Sequence, residues 1–156
     1  MRKQKGFTLI ELLVVIAIIA ILAAIVLANL SSARTKASNS AVKSDLTSIR
    51  SEAALFFDDH GNSYSNEDSP LVDVCGDGKI VQMLAQAAQE GGSTYAPDNT
   101  GGTFCNATKD AYVVASPLKE PEDGNAYWCL DSETANETGI TAKPSDGATV
   151  CVPVTP

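Results

Sequence analysis

The chain has 156 residues, with 19 Asp and Glu against 11 Lys and Arg and one His, a net charge of −8. That length suits one domain of ordinary size, and an acidic surface repels phosphate backbones, which counts against nucleic acid as a partner. His60 has no adjacent nucleophile and no Gly-rich phosphate loop is present, so composition and motifs also count against an enzyme.

The first six residues, Met1-Arg-Lys-Gln-Lys-Gly6, carry three cations; Phe7-Thr-Leu-Ile-Glu11 follows, and then 17 consecutive apolar residues from Leu12 to Ala28. A helix over residues 7–30 would be roughly 36 Å long, enough for a hydrocarbon core of about 30 Å. The cations Arg2, Lys3 and Lys5 favour a cytoplasmic N-terminus, with the remainder exported. Glu11 is the odd residue, because a carboxylate at membrane depth costs on the order of 2.5–3.5 kcal/mol unless it reaches the interface or a partner. It can snorkel to the headgroups, or it can pair with a cation.

From Ser31 the helical pattern continues with a polar outer surface. Val42, Leu46, Ile49, Ala53, Phe56 and Phe57 recur at three- and four-residue steps, the stripe of an amphipathic helix. His60-Gly61-Asn62 is a stop signal. Phe7 to Asp59 would make a single helix of roughly 80 Å. Beyond Gly61 the composition turns to Asn, Ser, Gly, Asp and Pro, residues of loops.

Asp77-Gly78 opens a short helix over Lys79–Glu90, ended by Gly91-Gly92. Strands are expected at Ala111–Ser116, Asn125–Asp131 and Thr149–Val154, with a fourth near Thr103–Cys105. Pro153 puts the last of the three at an edge or at its own end. The fold class is therefore α+β, a long N-terminal helix packed on a small antiparallel sheet with a short second helix.

Cys75, Cys105, Cys129 and Cys151 all lie downstream of the apolar segment, on the exported side of this topology. They are read as two disulfides, with three connectivities possible. No Cys-x-x-Cys pair supports a metal site. Asp73 and Asp77 in Val-Asp-Val-Cys-Gly-Asp-Gly-Lys match a fragment of a calcium loop without its later ligands, so they are weak calcium candidates beside a reading as solvated turn acids. No cofactor is implied. Trp128, beside Tyr127 and Cys129, is read as a core residue next to a disulfide, with a ligand-stacking aromatic as the alternative. Asn106-Ala-Thr108 and Asn136-Glu-Thr138 match a glycosylation acceptor pattern that is common by chance.

The segment Lys5-Gly6-Phe7-Thr8-Leu9-Ile10-Glu11-Leu12 resembles the class III signal of type IV pilins and type II secretion pseudopilins. The resemblance extends through Ala41-Val42 to Asp58-Asp59-His60-Gly61, the second half of the long helix and its exit. It implies cleavage by prepilin peptidase between Gly6 and Phe7, N-methylation of Phe7, and pairing of Glu11 with the N-terminal amine of a neighbouring subunit during filament assembly. Gly6 suits a scissile position because it has no side chain. An ordinary signal peptide would instead be cut after its apolar region, near Val26 and Ala28.

The implied organisation is a leader over 1–6, a transmembrane and filament-core helix over 7–30, the amphipathic half over 31–60 and an exported pilin-like globular domain over 61–156. Without the leader, 8 Lys and Arg face 19 Asp and Glu, or −11. The implied partners are other subunits in a homopolymer or mixed filament, prepilin peptidase, an inner-membrane assembly platform, and lipid before assembly. The implied location is the cytoplasmic membrane and then an extracellular or periplasmic filament. The alternative is a scarce minor or tip subunit whose exported domain binds a surface, DNA or a secreted protein. Many pilins have Pro where this chain has Ala28, and often Gly where it has Ala20. Lacking both, the helix has no built-in weak point.

Overall fold

The computed structural model describes residues 6–65, 73–134 and 137–151. The leader residues before Gly6 lie outside that set. The chain divides into two units, Met1–Lys36 and Ala37–Pro156.

Between Phe7 and His60 the sequence contains neither Gly nor Pro, and one helix, α1 (Leu9–Asp59), runs unbroken for 51 residues. In the first unit its described side chains from Leu9 to Arg34 are exposed. This part is long and apolar enough to cross a membrane.

In the second unit α1 has a buried stripe. Val42, Leu46, Ile49 and Ala53 have no exposed surface, and Phe56 closes the row. The helix ends where Gly61 takes φ 71° and the Asn62 amide donates to the Phe57 carbonyl at 2.9 Å. The His60 ring stacks on Phe56 with centroids 3.8 Å apart, and its Nδ1 donates to the Phe56 carbonyl at 2.8 Å.

The second helix, α2 (Gly78–Gly91), starts at Asp77, whose carboxylate accepts from the amides of Lys79 and Ile80, and ends at Gly92 with φ 79°. It extends one residue beyond Lys79–Glu90 at each end. Its buried face is Ile80, Leu84, Ala87 and Ala88. Lys79 reaches Glu52 on α1 at 2.7 Å.

Four strands follow: β1 (Phe104–Ala107), β2 (Tyr112–Glu122), β3 (Asn125–Asp131) and β4 (Glu137–Ile140). They pair in chain order as an antiparallel meander. Asp123 and Gly124, at φ 52° and 82°, form the β2–β3 turn, where two positive φ values suit the twist of a tight hairpin.

Both faces of the sheet are covered. Cys105, Tyr112, Val114, Leu118 and Leu130 join the core with α1 and α2. Phe104, Val113, Ala115, Cys129, Ile140 and Cys151 form a second cluster. Burial on both sides makes Tyr112–Ala115 a continuous apolar run rather than an alternating one.

One strand expectation is corrected, and one strand appears where none was expected. Among the described residues 149–151 there is no strand, although Thr and Val favour one; residues 152–154 lie outside the described set. Cys151 is held instead by its bridge and by its amide, which donates to Asp131 Oδ2 at 2.9 Å. The fourth sheet position is taken by β4, which the presence of Gly139 disguised as a loop. That glycine lies against Asn125, whose side chain a Cβ there would meet at 2.7 Å.

Asn39 of α1, only 6% exposed, bonds to the end of β2 through both side-chain atoms. Its Oδ1 accepts from the Lys119 amide at 2.8 Å, and its Nδ2 donates to the Glu120 carbonyl at 3.1 Å.

Candidate functional site

Gly6 and Phe7 are exposed, Phe7 at 86%. A Cβ placed on Gly6 would meet nothing within 4 Å, so the Gly6–Phe7 segment is open to approach. The first helical turn is closed by Thr8 and Glu11. The Glu11 amide donates to Thr8 Oγ1 at 3.2 Å, while Glu11 Oε2 accepts from the Thr8 amide at 2.9 Å and from its hydroxyl at 2.8 Å. This is a capping box, in which two otherwise unpaired helix-start donors are satisfied reciprocally.

The sequence carries the signal for this box, a Thr three residues ahead of a Glu before an apolar run, which the membrane-depth reading of Glu11 does not use. Among the described residues Glu11 has no ion-pair partner. Its carboxylate is turned back toward the start of α1, one residue from Phe7.

The weak calcium candidates Asp73 and Asp77 are engaged in local structure. Asp73 Oδ1 accepts from the Gly76 amide at 2.7 Å, and Asp77 caps α2. Among the described residues no group of three or more His, Cys, Asp or Glu is placed to hold a metal ion.

The cysteines form two bridges, Cys75–Cys105 and Cys129–Cys151, closing sequence separations of 30 and 22 residues. Loops of that size constrain the unfolded chain by about 3–4 kcal/mol each. Cys75–Cys105 fastens the α1–α2 connection to β1, and Cys129–Cys151 fastens the C-terminal segment to β3. Sequence reading missed Asp131. It is fully buried, and its carboxylate accepts from the Thr134 amide and hydroxyl and from the Cys151 amide.

Trp128 is half-buried against the core, with the Lys43 ammonium 4.3 Å from its ring centroid and 2.6 Å from Glu122. Asn106 donates its Nδ2 to the Ala148 carbonyl at 2.8 Å, which occupies the atom a glycan would need. Asn136 lies outside the described residues.

Several titrating groups in the second unit are perturbed. Burial raises the Tyr112 hydroxyl well above its ordinary value, helped by Tyr64. Burial and then Asp73 raise Tyr95. Asp45 is raised by burial and then by Glu90, and its Oδ2 is buried with no hydrogen-bond partner among the described residues.

The prokaryotic N-terminal methylation motif matches residues 1–27. The type IV wide pilus major component PilA4 of Thermus thermophilus is 46% identical over 72 residues, which are 46% of this chain and 54% of that protein. The type II secretion system core protein G of Klebsiella pneumoniae is 46% identical over 55 residues, 35% of this chain and 38% of that one. Its namesake in Escherichia coli is 36% identical over 66 residues, 42% and 46%. The chain thus spans about half the length of the curated relatives it matches, or less. No solved structure matches it.

Proposed function

We infer that this chain belongs, by its N-terminal segment, to the type IV pilin and type II secretion pseudopilin family and is a structural, non-catalytic subunit of a pilus or pseudopilus. The observation that carries this reading is the first half of α1, an apolar helix with no burial in its own chain. Lipid satisfies such a surface while the subunit waits in the membrane, and the equivalent helices of other copies satisfy it in a filament.

In this reading the leader 1–6 is removed by prepilin peptidase at Gly6–Phe7, and Phe7 is N-methylated. Residues 7–30 anchor the chain, with its N-terminus cytoplasmic, until an inner-membrane assembly platform extracts it. Residues 31–60 and 61–156 form the exported part. Glu11 then pairs with the Phe7 ammonium of a neighbouring copy and sets the axial register. The capping box supports this order of events, since Thr8 supplies donors to the carboxylate before any neighbour arrives. An acid that is already hydrogen-bonded costs less to hold in an apolar setting than a bare one.

The test is Glu11→Ala in cells, following the processed chain in membrane and sheared extracellular fractions. The expected outcome is normal insertion and cleavage, by intact mass and N-terminal sequencing, with filament recovery reduced at least about tenfold, the scale of one lost interaction of 1.4 kcal/mol. Unchanged filament recovery would remove Glu11 from assembly. A chain beginning after Ala28 would overturn the filament reading altogether.

A further inference from the structure

The two disulfides sit in unlike surroundings. Cys129 has no exposed surface, and Cys151 joins it inside the second core cluster. Cys75 is partly exposed, and both Cys75 and Cys105 line a cavity of about 300 Å³ whose wall also includes Asp73, Tyr95, Asn99 and Asn106. That volume lies at the lower end of the range for small-molecule pockets.

The backbone around this bridge is held independently of the sulfurs. The Tyr95 hydroxyl donates to the Cys75 carbonyl at 3.0 Å, and the Cys105 amide donates to Asn99 Oδ1 at 3.0 Å. Val74, 1% exposed, donates its amide to the Tyr64 carbonyl at 2.8 Å. An opened pair would therefore stay close to its closed position.

We propose that Cys75–Cys105 is a reversible thiol-exchange site, opened by a small dithiol entering this cavity while Cys129–Cys151 stays closed. The reagent carries no further negative charge, because the Asp73 carboxylate on the wall opposes an anion. One reagent thiolate attacks Cys75 Sγ; the Cys75–Cys105 bond breaks and Cys105 leaves as a thiolate. The second reagent thiol, once deprotonated, then attacks the reagent's first sulfur in the mixed disulfide. Cys75 is released as a thiolate, and the reagent departs as a cyclic disulfide. Two electrons pass from reagent to protein, and the two reagent protons end on the two cysteines. Opening removes the covalent tie between the α1–α2 connection and β1 and leaves each held by its own hydrogen bonds, while the sheet keeps its ladder and its second bridge.

The experiment treats the full chain, in detergent micelles without denaturant, with dithiothreitol. Samples are quenched with iodoacetamide over time and the alkylated peptides are mapped by mass. Cys75 and Cys105 should be labelled at least about tenfold faster than Cys129 and Cys151, as expected when one bridge needs only local access and the other needs wider opening. Equal rates, or earlier labelling of Cys129 and Cys151, would overturn the proposal. In a second measurement, the reagent is removed before quenching and the chain is reoxidised in air. Re-formation of Cys75–Cys105 alone is expected, and scrambled pairs would show that the opened cysteines are not held in place.

Discussion

The two halves of α1 share one backbone and differ in where their apolar residues find partners. Leu22 is 57% exposed while Leu46 is fully buried, although both lie on the same unbroken helix. Helix propensity cannot distinguish them, because Leu, Ala and Ile are present in both. The difference lies in the other residues. The second half carries Ser, Lys, Asp and Arg around a narrow stripe that the domain covers, whereas the first half is apolar all round, wider than any one domain face can cover. A helix of that kind is complete only with lipid or with other helices.

The sharpest way to break this comparison is a matched pair of truncations. Leu46→Ala should cost about 2–5 kcal/mol, lowering the melting temperature of the second unit by well over about 8 °C. Leu22→Ala in the same full-length chain in detergent should leave that melting temperature unchanged. Equal losses from the two would mean that the halves are not energetically distinct.

A smaller effect tests how the second half is tied to the sheet. Asn39→Ala removes the side-chain partners of the Lys119 amide and the Glu120 carbonyl at a partly buried contact, a loss of two hydrogen bonds of about 0.5–1.5 kcal/mol each. Hydrogen exchange should quicken at the Lys119 amide ahead of the Val114 amide in the central part of β2. Uniform loss of protection along β2 would instead point to general destabilisation.

The smallest effect is electrostatic. Burial and Glu90 raise the Asp45 carboxyl above its ordinary 3.8, so the folded chain holds this proton more tightly than the unfolded one. Ionisation of Asp45 then opposes folding at neutral pH, and the penalty disappears as pH falls below about 4, where both states are protonated. Asp45→Asn should therefore be slightly more stable than the parent at pH 7, by at most about 1 kcal/mol because solvent screens a partly exposed pair. Melting curves of the two proteins should converge in acid. A variant less stable than the parent at pH 7 would reverse the assignment.

Much of this architecture is legible in the sequence because its signals are local. α1 follows from the absence of Gly and Pro, and the bounds of β3 were read as Asn125–Asp131. What was missed depends on neighbours. β2 continues through Pro117 and Pro121 because β1 pairs with it only as far as Ala115. Past that point one side of β2 makes no ladder, and a missing N–H is tolerated there. β4 was hidden by Gly139, which is required by the Asn125 side chain across the sheet. The disulfide partners, Asn39 and Asp131 depend on contacts between residues far apart in the chain, which no local pattern encodes. At the N-terminus the Thr8–Glu11 spacing is a local signal for the cap that the structure shows.

The sheet's strand order has a kinetic consequence. Because β1 to β4 pair with their immediate successors, each hairpin closes a short loop, and loop-closure entropy is smallest when the partners are near neighbours. A chain emerging N-terminus first can zip the sheet in order of appearance, with α1 and α2 already waiting to cover one face. In that order Cys151, which follows β4 in the chain, would dock beside Asp131 after the sheet has formed and cover the opposite face.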